Sequence, residues 1–264
     1  MHILINNDDG IEAPGIENLI YALKDYAQIT VVAPEGEQSG KSMSITTREP
    51  LVVNQVSKFG SIPAWSVRGT PADCTKVALS IFKIKPDLIV SGINRGSNAG
   101  RNVLYSGTVG GVIEGILRGI PGIAFSCCDM KDPEYHRLTP FIEPMISFIQ
   151  KNPLPFGTLL NVNFPHTQED TPWNKTTQIQ GIKLTSQGKA FWVEDVYESE
   201  PILSNIRFGA KAMHFSDDEQ SDIYWLERGY ITAVPIHVDQ LTDFTYFSKN
   251  KDHFEYITTC PVAF

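Results

Sequence analysis

Short apolar runs alternate with amphipathic stretches along the first 165 residues. His2-Ile3-Leu4-Ile5-Asn6 reads as a buried strand. Pro14 then stands at a favoured first helical position, and Ile16, Leu19, Ile20 and Leu23 repeat with helical spacing. Ile29-Thr30-Val31-Val32-Ala33 predicts a second strand, stopped by Pro34, and residues 39 to 69 read as loops and short strands. Thr70-Pro71-Ala72-Asp73 has the form of a capped helix start, with Cys74, Val77, Ala78 and Ile81 as the inward face. Asp87-Leu88-Ile89-Val90 predicts a strand, followed by a Gly/Asn/Ser-rich loop from Ser91 to Gly107. A helix is expected over about Thr108 to Arg118, with Val109, Val112, Ile113 and Ile116 inward. A strand at Gly122-Ile123-Ala124-Phe125, a helix from Leu138 to Gln150 and a strand at Leu159-Leu160-Asn161-Val162-Asn163 complete the series.

Apolar strands alternating with amphipathic helices predict an α/β fold, a mostly parallel sheet with helices on both faces. After Pro165 the rhythm breaks. Residues 166 to 228 are polar, weakly periodic and rich in aromatics (Phe191, Trp192, Tyr197, Phe208, Phe215, Tyr224, Trp225), and a late strand is expected at 229 to 236. The chain therefore reads as one domain over 1–264, a catalytic core to about 165 and a C-terminal elaboration over about 166–264. Hairpins or arms there would either cap the core or meet a second copy.

Composition narrows the function. The chain has 264 residues, 42% apolar, and a net charge of −8 with no acidic tail. That argues against gripping duplex DNA or an anionic membrane, and still permits a small anionic substrate held by a metal and backbone N–H groups. No run of about 18 apolar residues predicts a membrane span. The start lacks the pattern of a signal peptide. Cys74, Cys127, Cys128 and Cys260 form no Cys-x-x-Cys, a pattern that suits a reducing compartment, so a cytoplasmic protein is expected. Asn174-Lys175-Thr176 matches a glycosylation acceptor that has no meaning in that setting.

Asn7-Asp8-Asp9-Gly10 carries the strongest chemical signal, because it follows the first strand directly. Two adjacent carboxylates at a buried strand end repel each other and lose water, which is costly unless a cation sits beside them. Gly10 lets the backbone turn where a ligand comes close. A plain strand-end turn is the competing reading, since Asp-Gly is a common turn pair. Beyond the carboxyl ends of an open parallel sheet, where ligands bind, the sequence also places Gln38-Ser39-Gly40, Ser91-Gly92-Ile93-Asn94 and Ser106-Gly107-Thr108. Oxygen donors of this kind suit Mg²⁺, Mn²⁺ or Ca²⁺, and the absence of His and Cys in these loops argues against zinc. The helix opening at Thr108 carries Gly110 and Gly111 in its first turn. They either leave N–H groups open to a phosphate or allow close helix packing. Gly40-Lys41-Ser42 imitates a P-loop end, but Glu35 stands where its first glycine belongs and a β-branched segment follows in place of a helix. No Gly-x-Gly-x-x-Gly follows the first strand.

These motifs together resemble the survival protein SurE family. The resemblance rests on Asn7-Asp8-Asp9-Gly10, Ala13-Pro14-Gly15, Val32-Ala33-Pro34, Gln38-Ser39-Gly40, Gly69-Thr70-Pro71-Ala72-Asp73-Cys74, Ser91-Gly92-Ile93-Asn94, Tyr105-Ser106-Gly107-Thr108-Val109 and Asn161-Val162-Asn163-Phe164-Pro165. It implies a Rossmann-like three-layer core with C-terminal elements that exchange between subunits in a homodimer or homotetramer. It implies a metal-dependent 5'-nucleotidase acting on nucleoside monophosphates, with 3'-monophosphates and short polyphosphate as further candidate substrates. The implied metal ligands are Asp8, Asp9, Ser39 and Asn94, holding one Mg²⁺ or Mn²⁺ per subunit. Asp8 and Asp9 are the expected catalytic pair, Asp8 acting on a water as base or attacking phosphorus directly. Asn98, Ser106, Gly107 and Thr108 are the expected phosphate-side residues. The chain departs from the family pattern at Asn6, where Ser or Thr is usual, at Asn102, where Asp is common, and at Gly111 and Val112, often alanine.

Overall fold

The computed structural model describes residues 1–168, 178–196, 208–213 and 218–259, with backbone alone at 192–196, 208–213 and 256–259. Asn174, Tyr197, Phe215 and Cys260, singled out above, lie outside the described residues, and of Trp192 and Phe208 only the backbone is described. The elements are β1 (His2–Asn6), α1 (Pro14–Leu23), β2 (Gln28–Pro34), β3 (Val53–Gln55), β4 (Ala64–Val67), α2 (Pro71–Lys76), β5 (Leu88–Arg95), α3 (Gly107–Ile116), β6 (Gly122–Cys127), α4 (Ile142–Lys151), β7 (Thr158–Phe164), β8 (Gly181–Leu184), β9 (Phe191–Val196), β10 (Phe208–Met213), α5 (Asp222–Leu226), β11 (Tyr230–His237) and α6 (Phe244–Thr259).

Among the described residues, eleven strands give a nine-stranded sheet in the order β3-β4-β2-β1-β5-β6-β7-β11-β8, and a separate antiparallel pair, β9 with β10. The strands from β4 across to β7 are parallel to their neighbours, while β3 and β11 run antiparallel to β4 and β7. Side-chain alternation along each strand feeds two cores. Ile3, Ile5, Val31, Val90 and Phe125 meet α1 and α4 on one face. Leu4, Val32, Ile89 and Ala124 meet α2 and α3 on the other. A strand buried on both faces must be apolar at nearly every position, which is why β1 and β5 read as continuous runs.

Helix starts follow their sequence signals. Pro14 opens α1. Thr70 and Asp73 form a capping box on α2, the Thr70 side chain accepting the Asp73 N–H at 3.2 Å and Asp73 Oδ2 accepting the Thr70 N–H at 3.0 Å. Three expectations are corrected. α2 ends at Lys76 and gives way to a π-helical turn over Val77–Ile81, so Ile81, expected inward, is largely exposed. β5 does not stop at Val90 but continues to Arg95, because β6 pairs with Asn94 and Arg95 beyond an irregularity in register. α3 begins one residue early, at Gly107, because the Ser106 side chain accepts the Val109 N–H and caps it. In the C-terminal region β11 is the expected late strand, and β8 pairs beside it at the edge of the main sheet.

Candidate active site

Chain order reverses at β1, with β2 on one side and β5 on the other, so the crevice beyond these strands is where an open α/β sheet binds ligands. β1 delivers Asp8 and Asp9 there, and β5 delivers Asn94. The two are held in step by parallel pairing, with Asn6 opposite Ser91. Gly92 makes the β5 exit possible. Its φ is +128°, and a Cβ there would stand 2.2 Å from the Phe125 carbonyl oxygen. The irregularity between Ser91 and Asn94 re-aims the end of the strand, as bulges near sites commonly do.

Asp8, Ser39, Asn94, Asn98 and Ser106 line one cleft of ≈ 740 Å³. Asp9 faces an adjoining recess of ≈ 420 Å³ with Tyr135, and Arg95 borders both spaces. Asp8 is almost fully buried. Its Oδ1 accepts the Thr108 hydroxyl at 2.6 Å, and its carbonyl accepts the Gln38 N–H at 2.7 Å, which ties the Ser39 loop to β1. Asp9 Oδ2 accepts the Arg95 N–H at 3.0 Å. Asn94 donates Nδ2 to the Gly96 carbonyl at 2.7 Å, which fixes the plane of its amide. Ser39 is exposed, and its hydroxyl donates to Glu37 Oε1 at 2.8 Å.

The expected phosphate-side residues divide. Asn98 and Ser106 reach the cleft, whereas Gly107 and Thr108 are buried behind Asp8. Thr108 passes hydrogen bonding inward: its Oγ1 accepts Asn98 Nδ2 at 3.3 Å and donates to Asp8. Gly107 leaves room for the acid, since a Cβ there would sit 2.9 Å from Asp8 Cβ. Both aspartates are pushed above the ordinary carboxylate range. For Asp8, burial is the main cause and the Asp9 charge adds to it, against the pull of the Thr108 hydroxyl and N–H, and it is raised to about 7. For Asp9, burial dominates, opposed by the Arg95 N–H and charge.

This electrostatic state fits a divalent cation. Two carboxyl groups forced toward neutrality, Asp8 by burial and the Asp9 charge, Asp9 by burial and the Glu37 charge, would be held ionised by a dication. The donors are carboxylate, hydroxyl and amide oxygens, the set a hard cation takes. Among the described residues no group of three or more His, Cys, Asp or Glu gathers, here or elsewhere, so a cation in this cleft would draw on two carboxylates completed by hydroxyl and amide oxygens.

Sequence reading missed the partners that hold Asn98. Asn163 Oδ1 accepts the Asn98 N–H at 2.8 Å, Asn161 Nδ2 donates to its carbonyl at 2.9 Å, and Ser126 Oγ accepts its Nδ2 at 2.8 Å. Asparagines at alternate positions of a fully buried strand were the available signal, because a buried amide demands partners. Asp222 was also missed. From α5 it accepts the N–H groups of Gly100 and Gly188, each at 2.8 Å, fastening the loop that carries Asn98 to the C-terminal region.

Fold and cleft define a Rossmann-like α/β protein whose candidate ligand site lies at the reversal point of its sheet and is lined by hard oxygen donors. A family model described as Survival protein SurE matches residues 3–194. The chain is 45% identical over 258 residues to the 5'-nucleotidase SurE of Protochlamydia amoebophila, covering 96% of each. It is 38% identical to the 5'-nucleotidase SurE of Thermoanaerobacter sp., covering 92% of this chain and 94% of that one. The crystal structure of the SurE protein from Aquifex aeolicus superposes with a TM-score of 0.80 at 33% identity, covering 97% of this chain and all of that one. The chain belongs to the survival protein SurE family.

Proposed function

We propose that this chain is a divalent-metal-dependent 5'-nucleotidase, hydrolysing nucleoside 5'-monophosphates to nucleoside and phosphate, with 3'-monophosphates and short polyphosphate as further substrates. The observation that carries the reading is the buried Asp8, raised to about 7, at the floor of an oxygen-lined cleft beside Asp9. Kinship with proteins called 5'-nucleotidase SurE supports it.

In this reading Asp8, Asp9, Ser39 and Asn94 hold one Mg²⁺ or Mn²⁺. Bound there, the cation would supply Lewis-acid stabilisation of charge on the phosphoryl oxygens. Asn98, Ser106, Gly107 and Thr108 form the phosphate side. The Ser106 hydroxyl and the start of α3 offer donors to an anion; Asn98, whose Nδ2 donates to Thr108 and Ser126, shapes that side, and Thr108 holds Asp8 in orientation. Ionised, Asp8 accepts the proton of the attacking water as general base. The β9–β10 pair and α6 are assigned to association with further copies as a homodimer or homotetramer. Phe244, Tyr246, Phe247 and Phe254 on α6 are largely exposed, which supports that assignment. Among the described residues no helix is long and apolar enough to cross a membrane. The catalytic reading is tested by phosphate release from adenosine 5'-monophosphate with Mn²⁺, expected to stop on chelation with EDTA and resume on adding metal back. Undiminished release in EDTA would refute the metal requirement.

A further inference from the structure

Two side chains in the cleft make no contribution to holding Asp8. Tyr105 and Met130 line it, at 62% and 63% exposure, while its other lining residues are polar or glycine. Neither is there by accident of a loose loop. Tyr105 immediately precedes Ser106, the cap of α3, and its carbonyl accepts the Ser42 N–H at 3.0 Å. The Ser42 hydroxyl donates to the Leu104 carbonyl at 2.8 Å. Tyr105 is thus fastened to the loop that carries Ser39. Met130 follows Asp129, a buried carboxylate that accepts the Thr167 N–H at 3.0 Å and hydroxyl at 2.6 Å. The Met130 sulphur lies 2.6 Å from where a Cβ on Gly96 would stand, and the Gly96 carbonyl is the acceptor of the Asn94 amide. The Tyr105 backbone is therefore fixed beside the loop of Ser39, and the Met130 side chain packs beside the acceptor of the Asn94 amide.

Large apolar side chains left open to water inside a polar cleft mark a place that a flat apolar group covers on binding. A phenol ring offers a π face for stacking, and a thioether packs favourably against an aromatic ring. With the phosphoryl end of an ester at Asp8 and Ser106, the far end of the same molecule extends along the rest of the cleft. We propose that Tyr105 and Met130 hold the nucleobase of the substrate, Tyr105 by stacking and Met130 through its sulphur. They thereby make the cleft select nucleotides over simple sugar phosphates. This rests on the nucleotidase reading above and adds to it the residues that set substrate choice.

The test compares kcat/KM for adenosine 5'-monophosphate and ribose 5-phosphate in the full-length, Mn²⁺-loaded enzyme and in the variants Tyr105→Ala, Met130→Ala and Tyr105→Phe. The ratio of the two should fall, through KM, by at least about fivefold in Tyr105→Ala, the lower end of base-stacking energies, and by about two- to tenfold in Met130→Ala, the range of sulphur–aromatic contacts. Tyr105→Phe should keep the wild-type ratio within about twofold, since the ring face is retained. An unchanged ratio in either alanine variant, or equal losses on both substrates, would overturn the assignment. Absence of phosphate release from both substrates in the wild type is a separate result: it would sink the enzymatic reading and this inference with it.

Discussion

The middle of β1 and its exit are equally buried and chemically opposite. Ile3, Leu4 and Ile5 are fully enclosed, and so are Asn6 and Asn7, with Asp8 close behind. In the middle, burial itself stabilises, by roughly 1.5–3 kcal/mol for each large aliphatic side chain. At the exit every buried group must find a partner. Asn6 Nδ2 donates to the Pro71 carbonyl at 2.7 Å and Asn7 Nδ2 to the Gly10 carbonyl at 2.8 Å, while Asp8 takes the Thr108 hydroxyl. The accounting is incomplete there: Asn7 Oδ1 and the hydroxyl of Ser91 on β5 are buried without a hydrogen-bond partner. The strand thus carries stability and its exit carries costly buried polar groups, the division expected where a candidate site is built on a rigid scaffold.

If that division holds, substitutions in the two regions should fail differently. Asp9→Asn should lower kcat for phosphate release by about 10²- to 10³-fold. Its thermal midpoint should stay or rise, because the neutral amide removes the cost of a buried charge while its oxygen still accepts the Arg95 N–H. Ile5→Ala should do the reverse, costing about 2–5 kcal/mol of unfolding free energy in urea while the folded fraction keeps its turnover. A smaller effect probes the floor of the site. A Cβ on Gly111 would approach Asn6 Nδ2 to 2.8 Å, and Asn6 is held by Pro71 and Thr75. Gly111→Ala should therefore cost about 1–3 kcal/mol, and adding Asn6→Ser should recover part of it. Strict additivity would deny the contact.

The smallest expected effect lies at the rim. Burial raises Asp129, but the His166 and Thr167 hydrogen bonds together hold it below the ordinary carboxylate value. Its contribution to stability is thus present above the unfolded carboxylate pKa and lost as pH falls through the lower folded value. Asp129→Asn should cost about 1 kcal/mol at pH 7. The gap from wild type should close in acid, which urea titrations at two pH values would reveal.

Legibility in the sequence follows the same division. β1, β2, α1 and α3 declare themselves because a doubly buried strand and an amphipathic helix have strong periods. The end of β5 does not, because Ser91-Gly92-Ile93-Asn94 has the composition of a loop and becomes strand only through pairing with β6. Ile81 misled because helical spacing was extended through residues that the π-helical turn rotates outward. α6 went unread, since its aromatic positions remain largely exposed and define no single inward face. Among the proposed ligands, Asp8, Asp9 and Ser39 stand out in the sequence as polar residues past strand ends, and Asn94 reads the same way although it lies within β5. Asn161, Asn163 and Asp222 do not stand out, because their contacts with the Asn98 loop span 63, 65 and 122 positions of chain.

Anomalous scattering from a crystal soaked in Mn²⁺ tests the central claim most directly. The account predicts one strong peak per subunit, within coordination distance of oxygens from Asp8, Asp9, Ser39 and Asn94. A peak elsewhere, with that cluster empty while the protein still released phosphate, would contradict it.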